Sequence, residues 1–117
     1  MKKTNLIYFT LAVLMLAIPA EGQILKETET EAIKTAALAG ELAGGGFYCK
    51  VDEDALNDFI TLAYARIAIE AVDKVDRVVA QLEFSNNYSA WSARAPKGGC
   101  DVFSAGFEKK FEEIYEQ

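Results

Sequence analysis

Residues 49–100 read CKVDEDALNDFITLAYARIAIEAVDKVDRVVAQLEFSNNYSAWSARAPKGGC. Between its two cysteines this stretch is helical in pattern almost throughout. Leu56, Phe59, Ile60, Ala63, Ile67 and Ala71 recur at three- and four-residue steps, which makes a core-facing stripe. Val75, Val78, Val79 and Leu82 carry the pattern on, without glycine or proline, as far as Trp91. Asp52 can cap the opening turn, where Glu53 and Asp54 suit the positive end of the helix dipole. One unbroken helix from Glu53 to Ala93 would be about 60 Å long. The seven residues from Arg94 to Cys100 reach back at most about 25 Å. A bond between Cys49 and Cys100 therefore demands that the segment fold back. Val75 lies almost midway, and two antiparallel helices of about 20 residues, some 30 Å each, bring the chain home. The reversal is placed at Val72 to Asp76, with Asp73 and Asp76 as caps for the returning helix. Ser85-Asn86-Asn87 is the alternative break, since Ser and Asn oppose helix interiors, but its return needs almost full extension.

The case for that bond comes from the start of the chain. Lys2 and Lys3 precede an apolar run of twelve residues, Leu6 to Ala17, followed by Pro19 and small residues. This is the three-part secretory signal, and the run is too short for an ordinary spanning helix. Cleavage after Gly22 places Ala20 at the −3 position and fits better than cleavage after Ala20. The short Lys-Lys start points to a bacterial periplasm or the medium. Residues 1–22 are read as the signal peptide, which leaves 95 of 117 residues, enough for one domain. Two cysteines in a small exported protein pair as a rule. They are 51 positions apart in a chain without histidine, which makes a poor metal site, and no CxxC motif is present.

Residues 23–46 read as a weak N-terminal helix and a glycine hinge, and residues 47–117 as the disulfide-closed helical domain. The weak helix is drawn from Glu29 to Ala43, with Thr28 and Glu31 as a capping box. Its apolar content is mostly alanine, and Gly44-Gly45-Gly46 is read as its end. The last helix opens at Cys100 and Asp101. Phe103, Phe107, Phe111 and Ile114 share one face, opposite Glu108, Lys109, Glu112 and Glu113, and pairing the cysteines aligns this face with Phe59 and Ile60. Truncating Phe107 is expected to cost more than truncating Leu42, which this reading puts at a frayed helix end. The whole is all-α, a small bundle of three to four helices with a central antiparallel hairpin and one disulfide.

Charge narrows function. Of twelve Lys and Arg and eighteen Asp and Glu, signal removal takes Lys2, Lys3 and Glu21, leaving ten against seventeen, a net charge of −7. Nucleic acid and anionic membrane surfaces repel such a protein, and no membrane span is expected after cleavage. With no histidine, imidazole acid–base chemistry and His-ligated metals are excluded. Asp52, Asp54 and Asp58 hint at calcium, but Asn57 and Ala63 stand where an EF-hand loop needs glycine and glutamate. The clusters Glu27-Glu29-Glu31, Asp52-Glu53-Asp54 and Glu112-Glu113-Glu116 fit capping and solubility. The glycine triplet lacks the Lys-Ser/Thr of a phosphate loop. No catalytic residue, metal or cofactor is expected.

The most distinctive side chains are Phe84, Tyr88, Trp91 and Arg94, which share a helical face. Trp, Tyr and Arg dominate binding hot spots, and these four are the candidate partner-binding residues. The competing expectation packs them against the last helix near the disulfide. Asn87-Tyr88-Ser89 matches a glycosylation acceptor that a bacterial chain would not use. In size, helical class and one-disulfide spacing the chain resembles the small acid-stress chaperones of the bacterial periplasm; the resemblance transfers no individual residue. A non-enzymatic exported protein that binds a protein partner is expected, as a stress chaperone or an inhibitor, or as an accessory subunit of an envelope or secretion complex. On acidification the seventeen carboxylates lose charge near their reference values of about 3.9–4.3. The weak first helix is then expected to detach before the rest.

Overall fold

The computed structural model describes residues 29–116. The expected signal peptide, residues 1–22, its expected cleavage site and Thr28 lie outside them. Four helices follow in order: α1 (Glu31–Tyr48), α2 (Glu53–Glu70), α3 (Lys74–Ser92) and α4 (Gly99–Glu116). No strand occurs among the described residues. The chain is a small all-α bundle closed by the bond between Cys49 and Cys100, whose Cα atoms lie 5.3 Å apart.

Two of the expected caps form. The Asp52 carboxylate accepts the Ala55 amide at 3.0 Å, and the Asp73 carboxylate accepts the Asp76 amide at 2.7 Å. The reversal falls at Ala71–Asp73 and α3 runs unbroken through Ser85-Asn86-Asn87. The second expected cap, Asp76, does something else. It is 7% exposed, and its carboxylate accepts the Thr30 hydroxyl at 2.6 Å and the Val72 amide at 3.0 Å. Thr30 itself caps α1, its oxygen accepting the Ile33 amide. Asp76 thus ties the start of α1 and the α2–α3 turn to the first turn of α3. Asp76→Ala leaves a hydroxyl and a backbone amide without their charged acceptor. It should cost about 2–3 kcal/mol, read from urea midpoints; a loss under half of that would mean water replaces the carboxylate.

The N-terminal helix corrects the sequence reading most. It begins at Glu31 behind Thr30, not at Glu29, and passes straight through the glycine triplet to Tyr48. There is no hinge. The helix ends in a Schellman motif: Lys50 adopts φ 54°, its amide donates to the Phe47 carbonyl, and the Val51 amide donates to the Gly46 carbonyl. Nor is α1 weak. Ala32, Ala36, Ala39 and Ala43 are fully buried, and Leu42 is 5% exposed. Leu42 is a core residue, so the reason for expecting Phe107→Ala to cost more than Leu42→Ala is gone.

What α1 buries against explains its composition. A Cβ added at Gly40 would stand 2.6 Å from the Phe84 carbonyl oxygen and 2.8 Å from the Asn87 Cβ; at Gly44 it would stand 2.7 Å from the Trp91 Cβ. Real Cβ atoms do not come so close, so the α3 backbone lies directly on a surface of alanine and glycine. Ala36, Gly40 and Gly44, spaced by four, form one row, the small-residue pattern that lets two helices approach closely. The contacts Thr30–Asp76, Gly40–Phe84 and Gly44–Trp91 advance together, so α1 and α3 run parallel. By contrast, α2 runs antiparallel to α1: Gly46 meets Leu56 at one end, and the Thr35 hydroxyl donates to Glu70 at the other, 2.6 Å away. The Arg66 guanidinium holds the second Glu70 oxygen.

The last helix runs back along α1 and α2. Phe107 packs edge-on to Phe59 with ring centroids 5.7 Å apart, and Phe111 lies 5.3 Å from the same ring. The expected alignment of the two apolar faces therefore holds. Phe107 is the only buried residue of α4. Helices α3 and α4 both pack on α1 and α2 and do not pack on each other.

Candidate functional site

A concavity lies in the gap between α3 and α4. It is an open groove of about 400 Å³ floored by Leu38, Leu42 and Gly45 of α1. Trp91 and the Pro96-Lys97 loop form one wall, and Phe103 and Ile114 of α4 form the other. The groove follows from local sequence. Gly45 carries no side chain, and the Phe103 ring occupies that space, 2.6 Å from where a Cβ would stand. Gly98 and Gly99, at φ 86° and 85°, turn the chain sharply into α4. The disulfide fixes the start of α4 beside the end of α1. Glu41, Lys97, Lys110 and Glu113 ring the opening, two charges of each sign.

The four residues singled out in the sequence do not act as one cluster. Phe84 is 3% exposed, tilted against Tyr64 at 5.1 Å and stacked on Tyr88 at 6.2 Å. It belongs to the core. Tyr88 is half-buried and meets the Phe47 ring at 6.1 Å. Trp91 is half-buried and faces the groove, with the exposed Arg94 guanidinium 4.8 Å from its ring centre. Of the four, Trp91 alone lines the groove. The side chains that complete it, Leu38, Leu42, Phe103 and Ile114, come from α1 and α4. Period counting within one helix could not join residues on three elements. The Asn87 amide donates to the Glu83 carbonyl and side chain, and its Cβ sits against α1, so it is engaged within the bundle.

Chemically, the groove offers apolar surface with an aromatic edge and a neutral-sum charged rim. Such a lining binds by burial and orients by its rim. Among the described residues no three His, Cys, Asp or Glu side chains gather as they would around a metal, and no helix is long and apolar enough to cross a membrane.

Fold and groove together define a small disulfide-closed helical bundle with an open apolar cleft between α3 and α4. No family model, curated protein or solved structure matches the chain.

Proposed function

We propose that this is a small exported protein, periplasmic or secreted, that works without catalysis by holding an apolar segment of another protein in the groove between α3 and α4. The observation that carries the reading is the groove itself: six apolar side chains, Leu38, Leu42, Trp91, Pro96, Phe103 and Ile114, around about 400 Å³. The mixed rim of Glu41, Glu113, Lys97 and Lys110 suits polypeptide, which carries both signs of charge, better than a uniformly charged ligand. The secretory pattern of Met1 to Gly22 and the disulfide support the location. Stress chaperoning fits this chemistry, as does inhibition of one exported enzyme.

Trp91 is the only tryptophan of the chain, so occupation of the groove reports itself. With the mature protein and an aggregating client, binding should shift Trp91 emission to shorter wavelength and slow client aggregation. Leu38→Glu, at a position 58% exposed, should weaken both effects by about tenfold or more while leaving helicity intact. Unchanged aggregation kinetics with Leu38→Glu would remove the groove from the activity. One stoichiometric partner from the periplasm, with no effect on clients, would instead favour an inhibitor or an accessory subunit of an envelope complex.

A further inference from the structure

The returning helix is apolar on two nearly opposite faces, and the bundle uses only one. Ala80 and Phe84 point into the core, whereas Val75 is 72%, Val78 52%, Val79 43% and Leu82 59% exposed, and Val72, in the turn just before the helix, is 76% exposed. The sequence pattern counts Val75, Val78, Val79 and Leu82 as a continuation of the core stripe; the structure leaves them outside. A helix apolar on both sides is ordinarily covered on both. We propose that a second copy of this chain covers this face, α3 against α3 across a two-fold axis.

Three observations point to a copy rather than to an unlike partner. First, the spacing is that of a helix seam. Val75, Val79 and Leu82 step by four and three, and Asn86 lies four residues beyond Leu82. A seam of this kind is self-complementary, since each knob fits the hole that its own sequence makes. β-Branched residues followed by leucine, with one asparagine in register, are the pattern that favours two strands and fixes their alignment. Second, the area suffices. The five side chains expose roughly 500 Å², near the upper limit for patches on monomers. Two such faces with their polar rims bury roughly 1,200 Å², the lower bound for a stable specific interface. Third, no charged residue lies on the seam, so a copy brings no like charges together there although the mature domain carries −7. Trp91 and the groove lie on the other side of α3 and stay open in the pair, so the dimer stands or falls independently of the partner-binding reading.

The test is sedimentation of the oxidised mature chain, residues 23–117, over a dilution series from the high micromolar range. It should sediment at twice the monomer mass, and Val75→Glu with Leu82→Glu should raise the dissociation constant by at least about a hundredfold with the helical spectrum unchanged. Should the double glutamate variant fold poorly, Val75→Ala with Leu82→Ala should still weaken association by about tenfold or more. A wild-type monomer at every concentration overturns the proposal. If that monomer binds an apolar dye and Val75→Glu with Leu82→Glu abolishes the binding, a foreign helix is the occupant; if such stripe-dependent binding arises only after residues 23–28 are removed, the chain's own leading segment covers the stripe. A dimer insensitive to both pairs of substitutions also overturns it, because the interface then lies elsewhere.

Discussion

Gly40→Leu should leave the protein largely unfolded at room temperature, although the same change would strengthen an isolated helix by about 1 kcal/mol. The Cβ alone would stand 2.6 Å from a backbone oxygen of α3, an atom that cannot rotate away. Admitting a whole leucine means prising α3 off α1, which uncovers Ala32, Ala36, Ala39, Ala43 and Ala80, all fully buried. The close approach is lost along its entire length, so the cost should exceed about 4 kcal/mol, most of the stability of a domain this size. Gly40→Ala places only the offending Cβ and should still destabilise, by about 1–3 kcal/mol. Gly106 supplies the control. It too lies inside a helix, but nothing stands within 4 Å of its missing Cβ. Gly106→Ala should therefore stabilise, by up to about 1 kcal/mol. Urea midpoints of the three variants decide the matter. Gly40→Ala and Gly106→Ala shifting in the same direction would mean that α1 and α3 are not held this closely.

The Gly40 contact also marks where reading the sequence succeeds and where it stops. The reversal between α2 and α3 is legible without any glycine or proline, because a disulfide between cysteines 51 positions apart sets a length that a straight helix cannot meet. The caps at Asp52 and Asp73 are legible because their side chains act locally. The role of α1 is not, since apolar content measures burial by side-chain size and gives alanine and glycine little weight. Their contribution here is the absence of atoms, which lets a neighbouring backbone in. The row Ala36, Gly40, Gly44 carries that signal, but adjacent Gly45 and Gly46 make it read as a helix end. Glycine is costly in a helix by about 1 kcal/mol, a cost that packing against α3 offsets. The aromatic residues fail for a related reason. Phe84, Tyr88 and Trp91 do share a helical face, but Phe84 packs on Tyr64 of α2, whereas Trp91, beside Gly44 of α1, forms the groove wall.

The central place of α1 reverses the expected order of events in acid. A helix packed on all three others cannot leave before they separate. The peripheral element is α4, with Phe107 as its one buried residue and its start tied to α1 by the disulfide. If acidification exposes apolar surface before global unfolding, α4 is the helix that moves, opening the groove and uncovering Phe59.

That arrangement makes the disulfide the second large determinant of stability. Replacing both Cys49 and Cys100 by serine should cost about 4 kcal/mol in the chain-entropy account, from the loop that the bond closes in the unfolded chain. The location of the bond adds a consequence that loop entropy alone does not give. It holds the first turn of α4 against the end of α1, where the Phe103 ring sits in the space left by Gly45. Without it, α4 is anchored chiefly by Phe107 and Phe111 on Phe59 and should undock part of the time. Phe107→Ala, expected to cost about 3–5 kcal/mol in the oxidised protein, should then cost clearly less in the serine background, because the residue is already partly out of the core. The double-mutant cycle formed by the serine pair and Phe107→Ala measures this coupling. Additive losses would mean that α4 stays docked without the bond, and that the disulfide stabilises only through the unfolded chain. Wild-type stability of the serine pair would contradict the loop-entropy argument itself.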